Sequence, residues 1–588
     1  MASSLKDEIT HWLAQAVASV SPQFEGVLDL DRPKASDHGD FATSVALKLA
    51  KQLKRNPREL AQNIQQVLSP NPLVAKTEIA GAGFINVFLS ADAWAATIHQ
   101  VLKDGPKYGS KPASGPSVQL EFVSANPTGP LHVGHGRGAA YGASLANVLA
   151  AAGYRITREY YVNDAGRQMD ILALSTWLRY LELNGIHVPF PANAYQGGYV
   201  RRMAQAIFDE HKDRYVHEPW KILDGVVDIP DGAECVTDDP EVKRQSEVRL
   251  DGLIAACKRL LGSDYPYIHG FALNEQLGDC REDLQEFGVE FDCWFSEKSL
   301  FDTGKVAQAI DRLNASGNLY EQDGALWFKA TQFGDEKDRV VQRANGEFTY
   351  FASDIAYHAN KFERGFERVI DVWGADHHGY VPRVTAALTA LGFNPGKLTV
   401  ALVQFAVLYR DGRKVSMSTR SGEFVTLREL RNEVGNDAAR FYYVLRKSDQ
   451  HLDFDLDLAK SQSTDNPVYY VQYAYARICS VLAEWGGQTG ILADADLSAL
   501  KGAHEKALMQ RLDEYPQALE ASARELAPHC IAYYLKDLAA DLHAYYNAVK
   551  ILVEDEVLKR ARLCLVLATR QVLQNGLKLL GVSAPEKM

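Results

Sequence analysis

His132 and His135 stand three residues apart in the segment Glu121-Phe-Val-Ser-Ala-Asn-Pro-Thr-Gly-Pro-Leu-His-Val-Gly-His-Gly-Arg-Gly138. An apolar strand there runs through a Pro/Gly turn into a helix starting near Ala139. At a helix N-terminus this spacing points both imidazoles to one side, beside backbone N–H groups and the positive dipole end, a combination that attracts phosphate. Gly134 between them has no Cβ, so a nucleotide can approach the backbone closely. Three plainer readings compete. A two-histidine metal site lacks a third ligand nearby. A dinucleotide-binding loop lacks the Gly-x-Gly-x-x-Gly spacing. Surface histidines on ordinary turn glycines stay open.

A second segment, Tyr409-Arg-Asp-Gly-Arg-Lys-Val-Ser-Met-Ser-Thr-Arg-Ser-Gly422, reads as a strand, an Asp-Gly turn and a loop, with four Arg or Lys among the twelve residues Tyr409–Arg420. Cations clustered on a loop suit a pyrophosphate leaving group, and a solvated basic loop is the alternative. Tyr350 and Asp354 lie four apart, on one face if a helix begins there. A carboxylate stabilising the helix dipole and a core tyrosine explain that spacing equally well. Gly374-Ala-Asp-His-His-Gly379 ends a predicted strand, leaving His377 and His378 as either ligand-facing or ordinary loop residues.

Residues 125–135, Ala-Asn-Pro-Thr-Gly-Pro-Leu-His-Val-Gly-His, resemble the His-Ile-Gly-His signature of class I aminoacyl-tRNA synthetases, in the extended form of the arginyl-tRNA synthetases. The resemblance implies that His132 and His135 stabilise charge on the ATP phosphates while an amino-acid carboxylate attacks the α-phosphorus, an electrostatic role. Ser416-Met-Ser-Thr419 is similar to the family's Lys-Met-Ser-Lys loop, with both lysines replaced. Lys414 and Arg420 are the nearest substitute cations, and a lysine from elsewhere, such as Lys111, is another source. Gly134, Ser416, Met417 and Ser418 join the histidines as implied ATP-binding residues.

An arginine side chain presents a planar fork of five donors and wants carboxylates. The resemblance places Tyr350 over that side chain and Asp354 against the guanidinium. It further implies that Ser124 and Asn126 hold the α-amino and carboxylate groups, with Glu121 as an added acceptor; His377, in the turn after a predicted strand, is a candidate to reach adenosine or arginine.

The elements that must position these residues follow from pattern. From Val118 onward, short apolar strands at Val118–Val123, Val369–Trp373 and Ala401–Tyr409 alternate with helical stretches such as Ala139–Ala152. That alternation predicts a doubly wound parallel sheet, Rossmann-like, with ligands at the carboxyl ends of its strands. This α/β catalytic domain spans 114–460, with a less regular acidic insertion at about 195–293. Residues 1–113 read as an α+β domain with helices at Leu5–Val20 and Phe41–Leu53 and a strand at Phe84–Leu89, closed by the Gly/Pro/Ser-rich linker Lys107–Pro116. Residues 461–588 read as all-α. In that region Tyr470, Tyr473 and Arg477 share a helix face, the pattern of a bundle core or of a surface that stacks on unpaired bases. The N-terminal part, through Ser36–Ala42, and the helical C-terminal part are similar to the family's tRNA-elbow and anticodon-binding domains.

Composition bounds the rest. At 588 residues, 46% hydrophobic and 23% charged, the chain is neither one small binding module nor a disordered polymer. Its net charge of −12 speaks against a nucleic-acid partner until its distribution is seen. Residues 1–115 carry 12 basic and 11 acidic side chains and residues 465–588 carry 13 and 15, so the acidity sits in the middle. Charges within Met1–Glu8 and the lack of a long apolar run predict a cytoplasmic protein without membrane association. Seven scattered cysteines predict free thiols and no metal site.

Taken with the motifs, the resemblance implies a monomeric arginine–tRNA ligase. Its partners would be ATP with Mg2+, L-arginine and tRNA(Arg), with bound tRNA needed before activation. The alternatives are another class I synthetase such as the cysteinyl type, whose zinc site needs thiolates, and a synthetase-like RNA-binding protein that has lost catalysis.

Overall fold

In a computed structural model that describes residues 4–33, 36–228, 239–415 and 425–588, the chain separates into two units. One holds residues 116–146 and 155–460; the other holds 1–115, 147–154 and 461–588.

The first unit is built on five parallel strands: β1 (Ser117–Glu121), β2 (Arg155–Val162), β3 (Cys293–Ser296), β4 (Arg368–Gly374) and β5 (Leu398–Val403). Their spatial order is β5-β4-β1-β2-β3. The chain moves outward on one side of β1 and resumes on the other, so the doubly wound sheet read from the sequence is present and its switch point lies between β1 and β4. Ligands bind such sheets at the carboxyl ends of those two strands.

Alternation along β1 gives it two buried faces, Val118 and Leu120 on one and Gln119 and Glu121 on the other. Register then sets Glu121 opposite both Glu159 of β2 and Asp371 of β4, a row of three buried carboxylates. Uncompensated, such a row costs several kcal/mol per charge, on the order of the burial penalty of an ion. Helix α2 (Tyr350–Glu363) supplies the compensation. Lys361 Nζ donates to Glu121 at 2.5 Å and to Asp371 at 2.7 Å, and Arg364 just beyond the helix clamps Glu159 at 2.5 and 2.9 Å.

Helix α1 (Val133–Ala151) begins at Val133 rather than at the expected Ala139. Gly142 serves packing: a Cβ there would stand 2.3 Å from the Phe122 ring just after β1. The predicted strand Ala401–Tyr409 is two strands. β5 stops at Val403, and β6 (Ala406–Arg410) joins a separate sheet with β7 (Arg413–Lys414) and Leu452–Asp455. The break is Gln404, whose N–H donates to the Ser448 carbonyl at 2.8 Å and whose carbonyl accepts from buried Arg137 at 2.8 Å. The insertion expected to be irregular is helical where described: Gly198–His211, Pro240–Leu261 and Tyr265–Glu286 enclose a core with Trp177, Leu253 and Ile268. Asp239 caps the second of these by accepting from Glu241 N–H at 2.9 Å, with Pro240 opening the helix.

In the second unit the helix Leu5–Val20 and the strand Phe84–Leu89 form as their periodicity predicts. Phe41–Leu53 is not one helix: Phe41–Thr43 pairs antiparallel with Phe84–Leu89, and the helix is Val45–Leu53. The preceding turn needs Gly39, at φ +85°, where a Cβ would meet the Val87 carbonyl oxygen at 2.7 Å. Asp40 next to it is buried, accepting from Leu89 N–H at 2.8 Å and pairing with Lys506 at 2.6 Å. The C-terminal part of this unit has the long helices α3 (Pro467–Trp485), Ala503–Arg524, α4 (His529–Ala548) and Glu556–Leu580. Among the described residues no helix is long and apolar enough to cross a membrane.

Candidate active site

Past Glu121 the backbone leaves strand geometry abruptly, with φ of 69° at Val123 and 42° at Ser124. A left-handed β-branched residue costs roughly 1–3 kcal/mol and persists only where its surroundings hold it. Ser124 does the holding. Its Oγ donates to Glu121 Oε1 at 2.8 Å and accepts from Tyr161 N–H at 3.1 Å, while Glu121 is itself fixed by Lys361. Asn126 Oδ1 accepts from Asn163 Nδ2 at 3.2 Å. Glu121, Ser124 and Asn126 are thus gathered at the carboxyl ends of β1 and β2, as the sequence reading requires.

His132 and His135 stack at the start of α1, ring centroids 3.6 Å apart and planes 26° from parallel. Gly134 N–H donates to His132 Nδ1 at 3.1 Å, and His132 N–H donates to His135 Nδ1 at 3.3 Å. An Nδ1 that accepts leaves the proton of a neutral imidazole on Nε2, so each ring offers an N–H donor. Burial, reinforced by His132, pushes His135 down to about 3, and burial also lowers His132. The place a Cβ of Gly134 would take is filled by the His132 ring at 2.8 Å and Phe405 at 3.3 Å, so the glycine lets an imidazole fold over the backbone.

The chain just past the second motif meets this segment directly. Val133 N–H donates to the Val425 carbonyl at 3.0 Å and Leu427 N–H to the Leu131 carbonyl at 2.8 Å, around a bridge pairing His132 with Thr426. Asp411 and Gly412, at φ 49° and 68°, form the expected turn, but the chain after it is not loop at once: Arg413–Lys414 returns as β7 to close a hairpin with β6, and Lys414 stands exposed opposite Tyr409. Ser416, Met417, Ser418 and Arg420 lie outside the described residues. Lys111 belongs to the other unit, where it pairs with Glu520 at 3.3 Å.

Tyr350 and Asp354 occupy the first turns of α2, the helix their spacing calls for. Tyr350 is 52% exposed, and its hydroxyl accepts from Arg167 N–H at 3.3 Å. Asp354 lies deeper, its carboxylate accepting a hydrogen bond from the Tyr380 hydroxyl. Burial raises its pKa, with the Tyr380 bond acting against that rise. Glu297, just past β3, is a second acid that burial and the neighbouring Asp354 push upward, opposed by Ser353. Its Oε1 accepts from Ser353 Oγ at 2.7 Å. Its Oε2 and the Tyr161 hydroxyl are buried, close enough to influence each other's charge but without an aligned hydrogen bond. Among the described residues neither Asp354 nor Glu297 has an ion-pair partner. His377 is exposed beside Asp376, Nε2 to Oδ2 3.6 Å; the contact from its turn to Asp354 comes instead from Tyr380.

Glu297, Tyr380, His358 and Lys361 were not singled out by the sequence reading. Positions 350, 354, 358 and 361 form one helical stripe, a signal that spacing alone carried. Glu297 and Tyr380 gave none, because each reaches the pocket only through the tertiary fold.

Comparison with known proteins places all of these segments in one group. Residues 97–203 and 261–452 match the family described as tRNA synthetases class I (R), catalytic domain. Residues 3–89 match the arginyl tRNA synthetase N terminal domain, and residues 471–588 the DALR anticodon binding domain. The chain is 64% identical over 590 residues to an arginine–tRNA ligase of Azoarcus sp. (strain BH72), covering 100% of both chains. The chain belongs to the arginyl-tRNA synthetase family. A relative in Nitrosospira multiformis, also an arginine–tRNA ligase, is 65% identical over 562 residues, 95% of this chain and 94% of its own. The Thermus thermophilus arginyl-tRNA synthetase structure has the same fold, with a TM-score of 0.73 at 24% identity over 99% of this chain and 100% of that one.

Within this family member, Tyr470, Tyr473 and Arg477 of α3 converge around His543 of α4. Arg477 donates to His543 Nδ1 at 3.0 Å, and its guanidinium lies 5.1 Å from the Tyr473 ring and 4.1 Å from Tyr546. The Tyr470 ring is 4.6 Å from His543. All three α3 residues are partly buried and take part in packing α3 on α4.

Proposed function

We propose that the cleft at the carboxyl ends of β1 and β4 joins L-arginine to ATP as arginyl-adenylate and passes the arginyl group to the 3′-terminal ribose of tRNA(Arg). The observation that carries the reading is the pair of acids, Glu297 buried and Asp354 partly buried, without an ion-pair partner among the described residues, in the unit that holds the stacked histidines. Two such carboxylates repel each other and gain most from a ligand that brings both a positive charge and several donors. A guanidinium does so with a planar fork that can bond both acids at once.

In this reading Tyr350 covers the side chain at the mouth of the pocket, and Ser124, Asn126 and Glu121 orient the α-amino and carboxylate ends. The arginine carboxylate oxygen attacks the α-phosphorus and pyrophosphate leaves. His132 and His135 meet the growing phosphate charge with their Nε2–H donors, the preorganised electrostatics that such a step needs. Gly134, Ser416, Met417 and Ser418 complete the ATP site, and Lys414 with Arg420 supplies the cations that the signature loop has lost. Mg2+ enters on the triphosphate as part of that substrate. The ribose hydroxyl of tRNA then attacks the adenylate carbonyl and AMP leaves. Tyr470, Tyr473 and Arg477 contact the tRNA, residues 1–113, 114–460 and 461–588 act as elbow-binding, catalytic and anticodon-binding domains, and the enzyme works as a cytoplasmic monomer.

An aminoacylation panel with total tRNA tests the reading. Arginine is charged and other amino acids are not; Asp354→Ala raises the KM for arginine far more than the KM for ATP. Preferential charging of cysteine, or of any amino acid without a forked cation, overturns it.

A further inference from the structure

Tyr380 ends the short helical turn Ala375–Tyr380 that follows β4, and its hydroxyl reaches across to Asp354 on α2. The ring that carries this hydroxyl is immobilised on several sides. The Arg383 guanidinium stands 4.5 Å from its centroid, and the Trp373 and Phe351 rings approach in edge-on contacts at 6.0 and 6.3 Å. Arg383 is in turn 5.8 Å from the Phe351 ring and 3.9 Å from Asp335, itself bonded to Arg339 at 2.7 Å. A phenol held this way offers its proton in one fixed direction.

We infer that Tyr380 is a positioning residue of the arginine pocket: its hydroxyl occupies one Asp354 oxygen and thereby turns the other toward the guanidinium. The inference rests on the arginine-activating reading above and deepens it. A carboxylate with two unrestrained oxygens can rotate, and ordering it at the moment of binding costs affinity, whereas a carboxylate already held by a donor is preorganised. The same bond protects the charge. Asp354 is faced by Tyr380 from the turn, by His358 and Lys361 on its own helix, by Glu121 at the end of β1, by Tyr161 of β2 and by Glu297 after β3. Burial drives it toward the protonated form, and the Tyr380 bond is the largest influence acting the other way. Protonated, it would repel the N–H groups of the fork with a donor of its own.

Tyr380→Phe in the full-length chain keeps the ring and its neighbours and deletes only the hydroxyl. Arginine and ATP are titrated separately in aminoacylation with tRNA, from about pH 6 to about pH 9. The expected result is a KM for arginine raised about 10-fold, the size of one hydrogen bond to a charged group, with kcat and the KM for ATP changed less than about twofold. The acid limb of kcat/KM for arginine moves to higher pH, because Asp354 without its donor takes up a proton sooner. An unchanged KM and unmoved acid limb in an active variant overturn this inference alone. So does an equal rise in both KM values with a fall in kcat, which marks general damage. A wild-type chain that does not charge arginine overturns the underlying reading as well.

Discussion

His132 and Thr426 face each other as an isolated antiparallel pair, so the histidine segment and the residues that follow the basic segment, almost three hundred residues apart in the chain, share one backbone junction. Thr426 is also the N-cap of the helix Leu427–Val434, in a capping box with Glu429. Thr426→Ala removes the cap at a cost of about 1 kcal/mol. Because the junction fixes the histidines rather than the arginine pocket, kcat falls while the KM for arginine holds, as steady-state kinetics and thermal melting will show.

The neutral imidazoles predict a specific pH behaviour. His135 is pushed to about 3 in the folded chain, below the value of about 6.5 it has when unfolded. Between those values the unfolded chain binds the extra proton, so this contribution to stability is whole above about pH 6.5 and is lost as pH falls toward 3. Melting temperatures from pH 7 downward should decline less steeply in His135→Asn than in the wild type. His132→Ala and His135→Ala each lower kcat for arginyl transfer by about 10²–10³, the scale of one lost donor to a transition-state oxyanion.

Two glycines of α1 should respond oppositely to alanine. At Gly142 the new methyl meets the Phe122 ring at 2.3 Å, and Gly142→Ala destabilises by about 1–3 kcal/mol through overpacking. At Gly138 a Cβ meets nothing within 4 Å, and Gly138→Ala stabilises by about 0.5–1 kcal/mol through helix propensity. Chemical denaturation of the two variants measures both.

Arg477→Ala is expected to raise the KM for tRNA several-fold while leaving the KM values for arginine and ATP unchanged. It also removes the donor to His543 Nδ1, so a modest loss of stability accompanies it. A tRNA KM equal to the wild type would assign the Tyr470–Arg477 face to helix packing alone.

What the sequence made legible follows the range over which its signals act. Helix and strand periodicity locate Leu5–Val20 and Phe84–Leu89, and the Asp411-Gly412 pair locates a turn, because each is decided within a few residues. Phe41 has a helical pattern in sequence but forms strand, because its partner, Val87, is set by pairing at a distance. The break at Gln404 was hidden for the same reason, since the groups that hold it belong to Arg137 and Ser448. In the site, His132, His135, Ser124, Asn126, Tyr350 and Asp354 stood in readable motifs. Glu297 and Tyr380 did not, since their neighbourhood arises from strand order and a turn.

The most direct test of the whole account is a crystal structure of the full chain with a non-hydrolysable arginyl-adenylate analogue. It is predicted to show the guanidinium bonded to Asp354 and Glu297, with the phosphate oxygens against the Nε2 atoms of His132 and His135. A complex in which those rings face away from the phosphate, or in which the guanidinium lies elsewhere, would contradict the account.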